Sequence, residues 1–141
     1  MSVKLPQSLT LIDDYAFYCC SSMKALTFPD IVQKIGSYAF SHCKSAFENN
    51  ILVLPKKLQT ISEGGFMRCD LRNIIWNEDL NYIGTWAFCG NDFEEITIPG
   101  SVTSSGFRSF EYCKLLKKVE LKKGVTTVAG KSKRFTKKPR N

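Results

Sequence analysis

Histidine is almost absent from this chain: His42 is the only one among 141 residues. The six cysteines contain no Cys-x-x-Cys pair, so a four-ligand zinc site lacks its usual spacing. No apolar run approaches the roughly 18 residues that would cross a bilayer. No apolar block follows Lys4, so Met1-Ser2-Val3-Lys4-Leu5-Pro6 does not read as a secretion leader. There is no Gly-rich phosphate loop, no His-Glu-x-x-His and no Gly-x-Ser-x-Gly. These absences remove the usual cofactor, metal and nucleophile constellations, and the expectation is a chain that is not an enzyme and holds no cofactor.

What the chain does have is a repeat. The pattern Ile-x-x-x-Ala-Phe-x-x-Cys recurs from Ile12 to Cys20, Ile35 to Cys43, Ile61 through Gly65-Phe66 to Cys69, and Ile83 to Asn91. A weaker copy keeps Phe110 and Cys113. Phe17, Phe40, Phe66, Phe88 and Phe110 are separated by 23, 26, 22 and 22 residues. A second landmark, Leu9, Val32, Leu58, Leu80, Val102 and Val125, drifts in step at 23, 26, 22, 22 and 23. Whole units therefore repeat, with one insertion near Glu48-Asn49-Asn50. A fixed period in this range marks a solenoid, whose units bury their apolar faces only against their neighbours.

Each unit also carries a short alternation, often closed by proline: Leu26-Thr27-Phe28-Pro29, Leu52-Val53-Leu54-Pro55 and Ile96-Thr97-Ile98-Pro99. Ile74-Ile75-Trp76 and Val119-Glu120-Leu121 keep it without the proline. Such alternation predicts a short strand with one face inward, and the long connections predict parallel pairing. Ala-Phe-x-x-Cys places apolar residues at i, i+1 and i+4, which predicts a single helical turn with phenylalanine as the core plug. The expected fold class is α/β: about five stacked coils of short parallel strands and helical turns over residues 3–128, followed by a basic tail over residues 129–141.

The pattern Pro-x-x-Val-x-x-Ile-Gly-x-x-Ala-Phe-x-x-Cys-x-x-Leu-x-x-Ile-x-Ile-Pro resembles the BspA-type leucine-rich repeats, most closely over Ile31 to Cys43 and Leu80 to Pro99. That resemblance implies a leucine-rich-repeat solenoid and a non-catalytic protein-protein interaction module of the surface-adhesion kind. The chain departs from the pattern at Asn91, which replaces a cysteine, at Ser105, which replaces an aliphatic, and at Gly64-Gly65, which loosens the third unit.

Cys20, Cys43, Cys69 and Cys113 share one repeat position, which reads as a ladder of reduced core thiols. A Cys20–Cys43 bridge between adjacent coils is the geometric alternative. Cys19 and Cys89 stand outside the ladder and are expected to be exposed. His42 beside Cys43 does not make a catalytic pair, because neighbours in a turn point apart and a core thiol is not activated.

Charge is divided unevenly. Residues 1–113 carry nine Lys or Arg against twelve Asp or Glu, whereas residues 114–141 carry eleven against one. Lys131, Lys133, Arg134, Lys137, Lys138 and Arg140 make the tail a candidate contact for nucleic acid or another anionic surface, by charge alone. For a protein partner, the residues flanking the inward aliphatics point outward in two columns. One is Ala25, Ile51, Asn73, Glu95 and Lys118; the other is Thr27, Val53, Ile75, Thr97 and Glu120. Ile51, Val53 and Ile75 form a β-branched patch in the middle, rimmed by charge. Tyr15, Tyr38 and Trp86 make a further aromatic column two residues before the core phenylalanine. The ends of the array lack polar capping units, which adds self-association to the expected partners.

Overall fold

The computed structural model describes residues 2–106 and 108–128. Ten short strands run through it: β1 Leu11–Ile12, β2 Lys34–Ile35, β3 Ile51–Val53, β4 Thr60–Ile61, β5 Asn73–Ile75, β6 Tyr82–Ile83, β7 Glu95–Ile98, β8 Ser104–Ser105, β9 Lys118–Leu121 and β10 Thr127–Val128. The pairing is parallel. One six-stranded sheet has the order β1-β2-β4-β6-β8-β10, and the other side of the stack carries two two-stranded sheets, β3-β5 and β7-β9. The register follows the repeat, with Ile12 beside Ile35, Ile35 beside Ile61 and Ile61 beside Ile83. The architecture is a parallel-strand solenoid of about five coils.

The phenylalanines queue as the period requires. Adjacent ring centroids are 5.2 Å apart for Phe17–Phe40, 5.4 Å for Phe40–Phe66, 5.7 Å for Phe66–Phe88 and 5.3 Å for Phe88–Phe110, with the planes within 15° of parallel. Phe28, Phe47 and Phe93 meet this row edge-on. The buried residues form one continuous cluster, as expected when each coil is too thin to enclose a core alone.

The predicted helical turn is corrected. Among the described residues there is no α-helix, and the one helical element is a 3-10 turn at Glu48–Asn50. The Ala-Phe-x-x-Cys segment is instead a chain of tight turns. Ala16, Tyr18 and Cys20 donate to the carbonyls three residues back, while Tyr15, Phe17 and Cys19 donate to Ser37, Ala39 and Ser41 of the next coil at 2.8 Å. Alternate amides are thus committed to a neighbouring coil, and a continuous i to i+4 ladder cannot form. The turns need positive φ two residues before and two after each phenylalanine: Tyr15 and Cys19, Tyr38 and His42, Arg68, Trp86, and Arg108 and Tyr112. Gly64 and Gly90 occupy the same positions, with φ of 63° and 73°. Gly64 therefore relieves a conformation that its repeat equivalents adopt under strain, rather than loosening its unit. It also makes room for the Tyr38 ring, which a Cβ there would strike.

A second correction concerns the first coil. Leu26-Thr27-Phe28 is not a strand: Ala25 sits at φ 54°, and the one ladder contact near it is a bridge between Ser2 and Lys24.

The departures at Asn91 and Ser105 are compensated. Cys43 Sγ donates to Phe17 O at 2.9 Å, Cys69 Sγ to Phe40 O at 2.8 Å and Cys113 Sγ to Phe88 O at 3.3 Å. Asn91 makes the same contact, its Nδ2 donating to Phe66 O at 2.9 Å. Ser105 Oγ donates to Ser109 Oγ at 2.9 Å, which in turn donates to Gly106 O at 2.7 Å, so the buried hydroxyls satisfy one another.

All six cysteines are free. Cys19 is exposed as expected, but Cys89 is buried, which corrects the expectation that both are exposed. Burial pushes Cys43 up from the ordinary 9.0 to about 11 and Cys113 to about 12, and it raises Cys69 and Cys89 as well. Two consequences are measurable. At pH 8 a disulfide reagent is expected to titrate Cys19 first and Cys20 more slowly, with the other four released only on unfolding. Stability is complete below the thiol value of the unfolded chain. It declines as pH climbs from about 9 towards 11–12, because unfolded thiols ionise there while buried ones stay protonated. A urea midpoint that stays level over that span counts against burial of the ladder.

Candidate functional site

The two outward columns of the strand face occur as registered blocks. Ile51 lies beside Asn73 and Val53 beside Ile75; Glu95 lies beside Lys118 and Thr97 beside Glu120. The blocks belong to separate sheets, so each column is interrupted between the third and fourth coils rather than running through five. Ala25 and Thr27 fall outside any strand. Val53 is 55% exposed and Ile75 51% exposed, each the last residue of its strand, while Ile51 is half-buried. Asn73, Glu95 and Lys118 are exposed, and Thr97 and Glu120 are half-buried.

A concavity that the periodicity does not announce opens beside this patch. It has a volume of about 390 Å³, with Val53 and Ile75 on one side, Leu26 and Phe28 on the other, and Phe47 and Glu48 forming a wall. Its origin is the insertion. Leu26 N–H donates to Ala46 O at 2.9 Å, and Lys57 N–H donates to Asp30 O at 2.9 Å. Between these two pins, residues 27–29 of the first coil face residues 47–56 of the second. The surplus chain turns outward through Asn49 and Asn50, at φ 56° and 59°, and leaves the two coils apart. The signal was present in the sequence as the 26-residue spacing, but a spacing alone does not say whether extra residues bulge away from a surface or wall a cleft.

The electrostatics of the cleft are mild. Asp30 and Lys56 form an exposed pair at 3.8 Å, worth at most about 1 kcal/mol. Glu48 is exposed on the wall. The aromatic column is real but short. Tyr15 and Tyr38 stack at 5.4 Å, then Gly64 interrupts the run before Trp86. These rings stack on each other along the turn edge, and burial with the nearby Glu63 carboxylate raises the Tyr38 phenol.

The remaining chemistry-bearing residues are not brought together. His42 Nδ1 lies 2.8 Å from Ser41 Oγ, whereas the Cys43 thiol turns inward to Phe17 O. Among the described residues no cluster of His, Cys, Asp and Glu could hold a metal ion, and no helix is long and apolar enough to cross a membrane. Lys131, Lys133, Arg134, Lys137, Lys138 and Arg140 lie outside the described residues.

The family of BspA type leucine-rich repeat regions matches this sequence in six copies, over residues 1–51 and 45–137. The chain belongs to that family. Solved leucine-rich proteins share this fold. A leucine-rich repeat protein from Bacteroides ovatus superposes with a TM-score of 0.76 at 26% identity, over 85% of this chain and 37% of that one. The T. pallidum leucine-rich repeat protein gives 0.76 at 29% identity, over 85% of this chain and 58% of that one. A leucine-rich cell surface protein from Faecalibacterium prausnitzii gives 0.65 at 26% identity, over 86% of this chain and 38% of that one. This chain thus spans less than two thirds of the length of each. No match is found among curated proteins.

Proposed function

We propose that this BspA-type array is a non-catalytic protein-binding module whose recognition surface is the strand face around Ile51, Val53 and Ile75. The observation that carries the reading is two large aliphatics, each about half exposed, beside an apolar cleft on a rigid stack. A face held by a continuous core and parallel ladders loses little conformational freedom on association, so contact area converts into affinity with a small ordering cost. Asn73, Glu95, Thr97, Lys118 and Glu120 supply the polar rim of that face. The opposite, six-stranded side offers a different surface, with Leu11, Lys34, Thr60, Tyr82 and Ser104 outward, so that Lys34 and Thr60 separate Leu11 from Tyr82. Likeness to a protein described as a cell surface protein supports an adhesive setting.

The test is a paired capture experiment. The double variant Val53→Lys, Ile75→Lys is expected to keep its circular dichroism and thermal transition, because both side chains leave the core pattern untouched. It should lose, by at least tenfold in abundance, the proteins retained by the unaltered chain. Equal retention by both proteins removes the strand face as the binding surface.

A further inference from the structure

The wall of the cleft exposes backbone as well as side chains, and this sets the chemistry of what fits there. Arg72 N–H donates to Asn50 O at 2.8 Å, and Leu54 N–H donates to Ile75 O at 3.1 Å. The even-numbered groups of β3 are therefore directed at β5. Backbone groups alternate sides along a strand, so the N–H and C=O of Val53 and the C=O of Ile51 point to the first coil. In the register used one coil later, Phe28 N–H would meet Val53 C=O and Leu26 N–H would meet Ile51 C=O. The insertion prevents this: Leu26 N–H goes to Ala46 O, and Ile51 N–H turns back to Glu48 O. Among the described residues, neither Val53 nor Phe28 makes a hydrogen bond across the gap. The cleft is thus a place where a parallel ladder has been opened, lined on both sides by main-chain groups that elsewhere in the stack are paired.

We propose that this gap receives an extended segment of a partner protein as an added parallel strand, apolar at alternate residues, with a lysine or arginine beside them. The proposal rests on the strand-face reading above and narrows it from a surface to a backbone-directed groove. The free edge of three residues supplies main-chain pairing over about 10 Å. Leu26, Phe28 and Phe47 supply an apolar lining, and the cleft volume lies within the range of sites that bury a small ligand. Glu48, on the wall and with no ion-pair partner among the described residues, favours the cationic side chain. A folded protein docking by side chains alone would leave the Val53 and Phe28 amides dry and unpaired, which is the costly outcome in an apolar cleft.

The experiment uses the full chain. Random nine-residue peptides are selected against it by phage display, with Val53→Lys protein as the counter-selection. The selected peptide is then made in two forms, one unmodified and one N-methylated at alternate residues, so that side chains are kept and backbone donors on one edge are lost. Binding followed by fluorescence anisotropy is expected to weaken at least tenfold on N-methylation and severalfold with Glu48→Lys, a surface change that leaves the core intact. In amide exchange by nuclear magnetic resonance, the Val53 amide is expected to become protected by the unmodified peptide. Equal binding of both forms overturns strand addition, and so does a selection that yields no peptide lost on Val53→Lys. Neither result touches the strand-face reading, which stands or falls with the capture experiment. Concentration-dependent dimerisation abolished by Val53→Lys likewise overturns the proposal, since it assigns the gap to a second copy of this chain.

Discussion

Replacing Phe66 with alanine is expected to cost about 3–5 kcal/mol, the upper range for truncating a buried aromatic ring. Phe66 is wholly buried and is the middle ring of the row, stacked on Phe40 at 5.4 Å and Phe88 at 5.7 Å. Phe28 and Phe47 also meet it edge-on, at 6.4 and 5.8 Å. Its loss removes apolar burial, leaves a cavity and breaks two ring stacks at once. In a solenoid the effect extends further, because each coil is stabilised by its two neighbours and a weak central interface divides the array. Domains of this size are stable by only about 5–15 kcal/mol, so the variant is expected to unfold at a much lower urea concentration and with reduced cooperativity. The same change at Phe17, half-buried with a single ring partner in the row, should cost clearly less. Comparable losses at both positions would contradict the coupled stack.

The residues that carried the fold in the sequence are those whose role is fixed by period alone. Five phenylalanines and six aliphatics at matched spacings can be satisfied together only if they line one continuous core, and the ring row and the Ile12-Ile35-Ile61-Ile83 register show it. The helical turn failed for a physical reason. Apolar residues at i, i+1 and i+4 suit one turn of helix, but they suit equally two consecutive tight turns. What separates the two is the partner of alternate amides, which lies about 22 residues away and leaves no local trace. Positive φ did leave a trace in Gly64 and Gly90, but tyrosine, tryptophan, arginine and histidine occupy the same positions elsewhere and obscure it. Cys89 shows a similar limit: a residue outside the ladder position can still be enclosed, here beside Arg68 and Trp86. For the site, Val53 and Ile75 were legible as outward positions, because alternation in a strand sets the facing. The cleft was not, since it arises from where the insertion's two pins fall.

Asn91 gives the second large expected effect. Its Oδ1 accepts from Cys69 N at 3.0 Å and Leu71 N at 2.9 Å, and its Nδ2 donates to Phe66 O at 2.9 Å and Phe88 O at 3.0 Å. All four contacts are buried. The need for them lies one coil earlier. In the first, second and fifth coils the inward residue three past the cysteine closes a turn on it: Met23 to Cys20, Ala46 to Cys43 and Leu116 to Cys113. The third coil is one residue shorter, with Leu71 two past Cys69, so that turn cannot close and the Leu71 amide needs another acceptor. Asparagine in the next coil supplies it, while keeping the donor that cysteine provides elsewhere. Asn91→Ala is accordingly expected to cost about 3–5 kcal/mol, since it strands two buried amides and two carbonyls together. Asn91→Cys should recover only the part owed to Phe66 O and remain well below the unaltered protein, although it restores the family pattern. Asn91→Asp separates the two halves of the role. Ionised, it accepts from both amides but faces two carbonyls, so its folded form favours the protonated acid, and the variant should be most stable below about pH 4 and weaken as pH rises. Denaturation midpoints of the three variants across pH 3–8 measure all of this. If Asn91→Cys proves as stable as the unaltered protein, the missing residue in the third coil is not what selects asparagine here.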